Sequence, residues 1–407
     1  MEPTEPQKDQ ADLTIKSVPI AEKTRVRWID HARGFVMVFL VITSVFPPGE
    51  WKQKDTNPIL WWLSSHPSPF SADLTLYDIG VPAFMFIIGL SMAISFNKWA
   101  VKESPGKAAL HQAKRYFILL ILGILLAWVL EFKIWNTKTY PVTPGPNDTA
   151  FYPEFAGLVM NYVIIWDVVI AIAFTGYCTI PFLFIKDGKL RMIVAYAWML
   201  LYGILFQVTN LRAYAQLSVH GGIFGTIFTL TSITVIGSAV GEYAMKSPDP
   251  MQKKARNMAI FGAINLLIGF IIDAIPGWEA TKRQGSFSYG VISIGVVMLG
   301  ATVFALIDLY RTKPIAYLDA FGKNPFFTYF IAEVPIFILD ETTGDDLGLG
   351  PIGNILVLAI LLTYTSLILM YLYKKQKIIS TEKASLIFLI TAVVLAALLL
   401  GTGVVEL

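Results

Sequence analysis

Apolar residues run in long blocks along this chain, and polar residues gather between them. A block of roughly 20 mostly apolar residues has the length of a helix that crosses a bilayer. Eleven such blocks are expected as spans, at about 31–48, 77–97, 115–135, 157–185, 192–210, 221–244, 257–275, 287–310, 325–340, 351–373 and 384–402. Backbone groups in hydrocarbon must be paired internally, which selects helices here, and the blocks are far longer than barrel strands. The expected fold is therefore all-α, a polytopic transmembrane helical bundle. The 157–185 run is long, and either starts in an interfacial turn near Gly157 or tilts. The 325–340 run is short and amphipathic. Residues 1–24 are polar and lack the apolar core of a signal peptide. They read as a cytoplasmic tail, leaving 25–407 as one transmembrane domain.

Composition supports this reading. Hydrophobic residues make up 55% of the 407 and charged residues only 15%, against roughly 25% in soluble domains. One soluble core could not hide that much apolar side chain. The net charge of +3 carries no nucleic-acid signal, and its surplus lies in the loops. With the N-terminus inside, the expected inner loops hold 19 Lys and Arg and the outer loops 7. That bias sets the orientation, with the C-terminus outside. Trp51, Trp61, Trp62, Trp135 and Trp278 fall near expected outer boundaries, as an aromatic belt would. Cys178 stands alone, so neither a disulfide framework nor a thiolate metal site is available. No P-loop, Rossmann fingerprint, His-Glu-x-x-His or paired metal-binding carboxylates occur. Gly221, Gly222 and Gly225, and also Gly237 and Gly241, sit on span faces, where close helix packing is their expected role.

Four clusters carry candidate chemistry. Asp30 and Arg33 share a helix face at the entry to the first span. They read either as an interfacial anchor with a local ion pair, or as a pocket where Arg33 meets a phosphate-bearing ligand. Asp78 lies at the outer mouth of an apolar helix, after a long loop of 49–76 that contains His66. It is either a helix cap or the group that orients His66, whose imidazole suits general-base work. Asp167, Glu242, Asp273 and Glu333 fall within or near spans, where each needs a partner, a cavity or the interface. Glu242 and Asp273 lie near span ends and read as interfacial; Asp167 lies deeper. Lys282 and Arg283 sit in an outer loop, against the charge rule. They are either a solvated pair or contacts for an anion or a sugar carboxylate.

Several segments together resemble the membrane acetyltransferases related to heparan-α-glucosaminide N-acetyltransferase, including bacterial relatives. RVRWIDHARGFVMVFLVITS is similar to that family's first helix, and LTLYDIGVPAFMFIIGLSMAIS to its second. HGGIFGTIFTLTSITVIGSAVGEY, KRQGSFSYGVISIGVVMLGATVFALID and AFGKNPFFTYFIAE are similar to middle and late segments. The resemblance covers most of 25–340 and agrees with about eleven spans. It implies acetyl transfer from cytoplasmic acetyl-CoA to an amine or hydroxyl of a sugar or glycan acceptor on the far side. No metal is implied. His66 becomes the catalytic candidate, with Asp78 to steady it. Asp30, Arg33, Lys323 and Asn324 become donor contacts, Arg33 and Lys323 through phosphates. Lys282, Arg283 and Asp167 become acceptor contacts. Where the family ends its first helix on Asn, this sequence has Ser44, which could align a carbonyl. The family's Gln-Arg pair in the fourth span is replaced near Trp166 and Asp167. The resemblance also implies a prokaryotic cytoplasmic membrane setting and allows a homodimer. A transporter or flippase with Asp167 and Glu333 as ion sites is the rival from another class. It would predict an internal repeat, and none is evident. A polytopic O-acyltransferase of another family, differing in acceptor and in donor length, is a third reading.

Overall fold

The computed structural model describes residues 26–45, 54–64, 74–135, 168–209, 211–215, 221–311, 313–332, 335, 350–379, 383–384, 386–388 and 390. His66, Asp167 and Glu333 lie outside the described residues, as does the side chain of Ser44.

Every regular element among the described residues is helical. In chain order they are α1 (Arg27–Val45), α2 (Pro58–Ser64), α3 (Gly80–Lys102), α4 (Pro105–Trp135), α5 (Val168–Thr179), α6 (Gly188–Val208), α7 (Leu211–Ala215), α8 (Gly222–Gly225), α9 (Thr231–Lys246), α10 (Met251–Asp273), α11 (Phe287–Tyr310), α12 (Ala316–Lys323) and α13 (Gly350–Lys374). A 3-10 turn, Tyr77–Ile79, leads into α3, and a π-helical turn, Thr226–Leu230, joins α8 to α9. Residues 325–332 are also helical.

Six helical stretches are long and apolar enough to cross a bilayer: Tyr77–Lys102, Gly188–Val208, Gly222–Lys246, Met251–Asp273, Phe287–Tyr310 and Ile352–Lys374. Each coincides with an expected span. α1 and α4 are helices at the first and third expected positions, and α5 covers part of the fourth.

Local signals explain the boundaries. Ser104 ends the α3–α4 turn by accepting from the Lys107 N–H (3.3 Å), and Pro105 opens α4 where its missing N–H costs nothing. Asp187 caps α6 by accepting from the Lys189 N–H at 2.8 Å. The cap starts α6 four residues earlier than hydropathy alone suggests. Ser286 caps α11 through the Tyr289 N–H. Gly221 takes φ +78°, a conformation that suits glycine, and its N–H donates to the Arg283 carbonyl at 2.5 Å.

Burial sorts the helices into centre and periphery. About two thirds or more of the apolar windows of α3, α8–α9 and α11 are buried, against a third or less for α6, α10 and α13. The peripheral helices expose Ile193, Ile260, Leu267 and Ile360, as lipid contact requires. α3 and α9 meet through small residues. A Cβ at Gly89 would collide with the Thr234 carbonyl, and one at Gly237 with the Phe86 carbonyl. Close backbone approach gives dispersion contact where no hydrophobic effect drives helices together in lipid. α1 and α12 meet in the same way. A Cβ at Gly34 would overlap the Leu318 carbonyl, and one at Gly322 the Asp30 carbonyl.

Candidate functional site

Two polar clusters lie along α3, one just before its N-terminus at Asp78 and one at its midpoint, Ser91. Thirteen residues separate Asp78 from Ser91 along it, or about 20 Å of helix at 1.5 Å per residue.

The first cluster is built on α1, α3 and α12, toward the face that carries the basic loops. Arg33 Nη1 donates to the Gly322 carbonyl at 3.0 Å and lies 3.3 Å from Asp30 Oδ1. Its Nη2 donates to Ser91 Oγ. The guanidinium therefore ties three helices together, a task its planar fork of five donors suits better than an ammonium. Asp30 is 5% exposed, which makes the ion pair part of the interior rather than a surface anchor. His31 lies beside it, with Nε2 3.2 Å from Asp319 Oδ1 and 3.1 Å from the Ile315 nitrogen. The N–H of Ile315 needs a bare imidazole nitrogen and the carboxylate needs a protonated one, so only one of these contacts is made at a time. Lys323 pairs with Asp319 at 3.3 Å and lies 4.5 Å from the centre of the Tyr373 ring. Asn324 Oδ1 accepts from the Ile379 N–H at 2.7 Å, while its buried Nδ2 has no hydrogen-bond partner among the described residues.

The second cluster joins two segments that the sequence keeps far apart. Asp78 is 2% exposed. Its Oδ2 accepts from the Thr75 hydroxyl (2.9 Å) and backbone N–H (3.2 Å). Its Oδ1 lies 3.0 Å from Lys282 Nζ. Asp78 is thus a local turn cap and one half of an ion pair. Tyr289 fixes the backbone beneath it by donating to the Asp78 carbonyl at 2.7 Å. The loop that delivers Lys282 is pinned in turn. Tyr202 donates to the Gln284 carbonyl (2.9 Å), and Thr229 to the Gly285 carbonyl (2.5 Å). Arg283 anchors this loop through its carbonyl, which accepts from Gly221. The short helix α2, in the loop before α3, also reaches the cluster, through a Leu76 N–H to Trp62 carbonyl bond of 2.9 Å. The segment containing His66 runs between α2 and Leu74.

Burial pulls the Lys282 ammonium below the ordinary lysine value of 10.5, and the Asp78 charge opposes that shift without cancelling it. Between the lowered value and 10.5 the unfolded chain holds a proton that the folded chain has released. Stability then rises with pH across that interval. Measured by urea unfolding in detergent, wild type should gain on Lys282→Met as the pH is raised from neutrality toward 10.5. A flat difference would mean that Lys282 titrates normally.

An apolar cleft runs beside the stretch of α3 between the two clusters, and no residue of either cluster lines it. It is lined by Ala32, Phe35, Val36 and Phe39 of α1, by residues from Leu76 to Leu90 on and before α3, and by Val296 to Phe304 of α11. It encloses about 150 Å³, and all its lining side chains are apolar.

The sequence assigned Asp78 and Lys282 to separate clusters, and the structure makes them one pair. It also gives parts to His31, Thr75 and Tyr289, which lie in segments the sequence singled out without assigning them a role, and it adds Ser91 and Asp319. Asp319 carries a signal in its spacing of four from Lys323 on a helix face. Glu242 is 3.0 Å from Arg191, which is buried, and also meets Lys246. Asp273 closes its loop by accepting from the Ala280 N–H at 2.6 Å. Metal chemistry has no visible seat among the described residues, where no three His, Cys, Asp or Glu gather.

A family model described as "Acyltransferase domain" matches residues 26–374. The match takes in α1 through α13 and both clusters. No curated protein matches the chain.

Proposed function

Because a match over 26–374 places the chain in the acyltransferase-domain family, a family of membrane acyltransferases, we propose that it transfers an acetyl group from acetyl-CoA to a sugar-type amine or hydroxyl across the bilayer. The observation that supports this reading is the pair of polar clusters set about 20 Å apart along α3, with an apolar cleft beside the stretch between them. In this scheme the donor binds on the basic-loop face, where Arg33 and Lys323 are the phosphate contacts and Asn324 supplies an amide N–H. The acceptor binds at the opposite end, beside Lys282 and Arg283. Asp167 is a further acceptor contact in this reading, and Ser44 aligns the carbonyl.

Chemistry at the acceptor end needs a base. His66 takes the proton from the acceptor N–H or O–H as that atom attacks the thioester carbonyl. The tetrahedral intermediate collapses with cleavage of the C–S bond. The imidazolium then returns its proton to the departing sulfur. Asp78 steadies the imidazolium by its negative charge. Lys282 places a positive charge near the developing oxyanion, which low local polarity strengthens.

Radiolabelled acetyl-CoA with purified protein and a panel of amino sugars and neutral sugars tests the reading. Turnover should appear with at least one sugar and drop by about two to four orders of magnitude in His66→Ala. Unchanged turnover in His66→Ala removes that residue from the scheme. Gly300→Leu offers a second test, because a Cβ there meets open space on the cleft wall. It should block transfer while leaving the unfolding midpoint in place.

The wall of the cleft favours one variation. Pantetheine amides would lose their hydrogen bonds against purely apolar side chains, at a few kcal/mol each. A hydrocarbon chain would lose none. Transfer involving a longer acyl chain is therefore the second reading, separated from the first by a donor series of increasing chain length.

A further inference from the structure

A second cavity, of about 600 Å³, opens on the basic-loop face between α6, α9 and α10. It lies on the other side of α11 from the cleft: Met298 lines this cavity and its neighbour Val297 the other. Acyl transfer as proposed above makes no use of it.

Its chemistry is graded from rim to floor. Lys186, Lys189 and Lys246 stand at the rim. Lys246 is engaged by Glu242. Lys186 and Lys189 are exposed and have no carboxylate within ion-pair distance among the described residues. Asp187 is occupied as the cap of α6, and Glu242 is shared with Arg191. The rim is therefore left with an excess of positive charge. Asn257 adds an amide, and below it the wall becomes Met192 and Phe261. One turn deeper, the Tyr196 hydroxyl donates to Asn265 and bridges α6 to α10. From Gly188 to Met192, the last α6 residue on its wall, the depth is about 6 Å at 1.5 Å per residue.

Leu190 and Ile193 of α6 and Ile260 of α10, next in sequence to the lining residues Lys189, Met192 and Phe261, are half or more exposed and belong to the lipid-facing surface. A ligand seated here has its head at the membrane surface and an open side toward acyl chains. A soluble nucleotide would leave that side wall bare, whereas an amphiphile covers it. Positive charge at the rim selects a negative head.

We infer that this cavity is a binding site for an anionic phospholipid. The phosphate sits on Lys186 and Lys189, and the chains pass over Met192 and Phe261 into the bilayer between α6 and α10. The site is independent of catalysis and stands whether or not the chain transfers acetyl groups.

Native mass spectrometry of the full chain tests the inference, with phosphatidylglycerol, phosphatidylcholine and CoA as the probes. Phosphatidylglycerol should be retained in preference to phosphatidylcholine. At roughly 1 kcal/mol per lysine, about fivefold in affinity, Lys186→Ala/Lys189→Ala should weaken retention roughly 25-fold. Met192→Trp, which fills the cavity and keeps the lysines, should displace the lipid as well. Equal retention of the two lipids would overturn the inference. So would displacement of phosphatidylglycerol by micromolar CoA, or wild-type retention in Met192→Trp, which would reduce the effect to loose attraction by basic loops.

Discussion

Gly322→Val should unfold the protein at a markedly lower temperature, by separating α12 from α1. The argument is steric. A Cβ at Gly322 overlaps the carbonyl oxygen of Asp30, and a Cβ at Gly34 overlaps that of Leu318. In each case the obstacle is backbone, which cannot swing aside as a side chain can. Overpacking ordinarily costs about 1–3 kcal/mol, and a backbone obstacle puts this site at the upper end, about 3 kcal/mol. The same displacement would pull the Gly322 carbonyl from Arg33 Nη1 and strand part of a buried guanidinium. Trp28 is 1% exposed and lies in α1, so its emission on heating in detergent reports the event. Gly106→Ala is the control, since a Cβ there meets nothing within 4 Å. Equal midpoints for Gly322→Val and wild type would show that α12 does not seal against α1 as described.

Asp78→Asn should abolish most turnover and also destabilise the fold, and the two effects can be separated. The amide keeps the shape and can still accept from Thr75, but it leaves the Lys282 ammonium without its counter-charge. Breaking a buried ion pair by removing one partner costs about 3–5 kcal/mol. Lys282 retains some solvent access, with 21% of its side chain exposed, so about 3 kcal/mol is expected. Adding Lys282→Met removes the stranded charge and should restore much of that stability. Activity should stay low in the double variant, by about a hundredfold or more, because the group that steadies the base and the charge near the oxyanion are both missing. Recovery of activity along with stability would reduce Asp78 to a structural role. The ratio of kcat in the two variants, measured at equal folded fraction, decides between the outcomes.

Much of the scaffold was legible from hydropathy alone. Six expected spans coincide with six long apolar helices among the described residues, because lipid imposes one length and one kind of element. Of the glycines assigned to packing, Gly237 and Gly241 do sit against carbonyls of α3, whereas Gly221 and Gly222 take positive φ where the chain turns into α8. What escaped is short or distant. α12 has eight residues and is flanked by charge, too short and too polar to register as a span. It nevertheless supplies half of the Arg33 cluster. The π-helical turn at Thr226–Leu230 sits within one uninterrupted apolar run, and nothing in its composition marks it. The pairing of Asp78 with Lys282 crosses more than two hundred residues. Spacing rules reach only one or two helical turns, so a pair of this kind is invisible to them. Arg191 was counted as an inner-loop cation, and the structure buries it at 3% exposure beside Glu242. Loop position alone says nothing of how far a long side chain reaches inward.

One helix, α3, holds Ser91 at its midpoint and follows directly on Asp78. Helices are stiff along their axes, and packed cores move as discrete bodies rather than by gradual deformation. Axial travel of about 1 Å, typical of helix shifts, would carry both residues together. A molecule pressing on the guanidinium would thereby reset the carboxylate about 20 Å along the shaft, with no need for diffusion between them. Occupancy would be signalled mechanically, as a piston signals load.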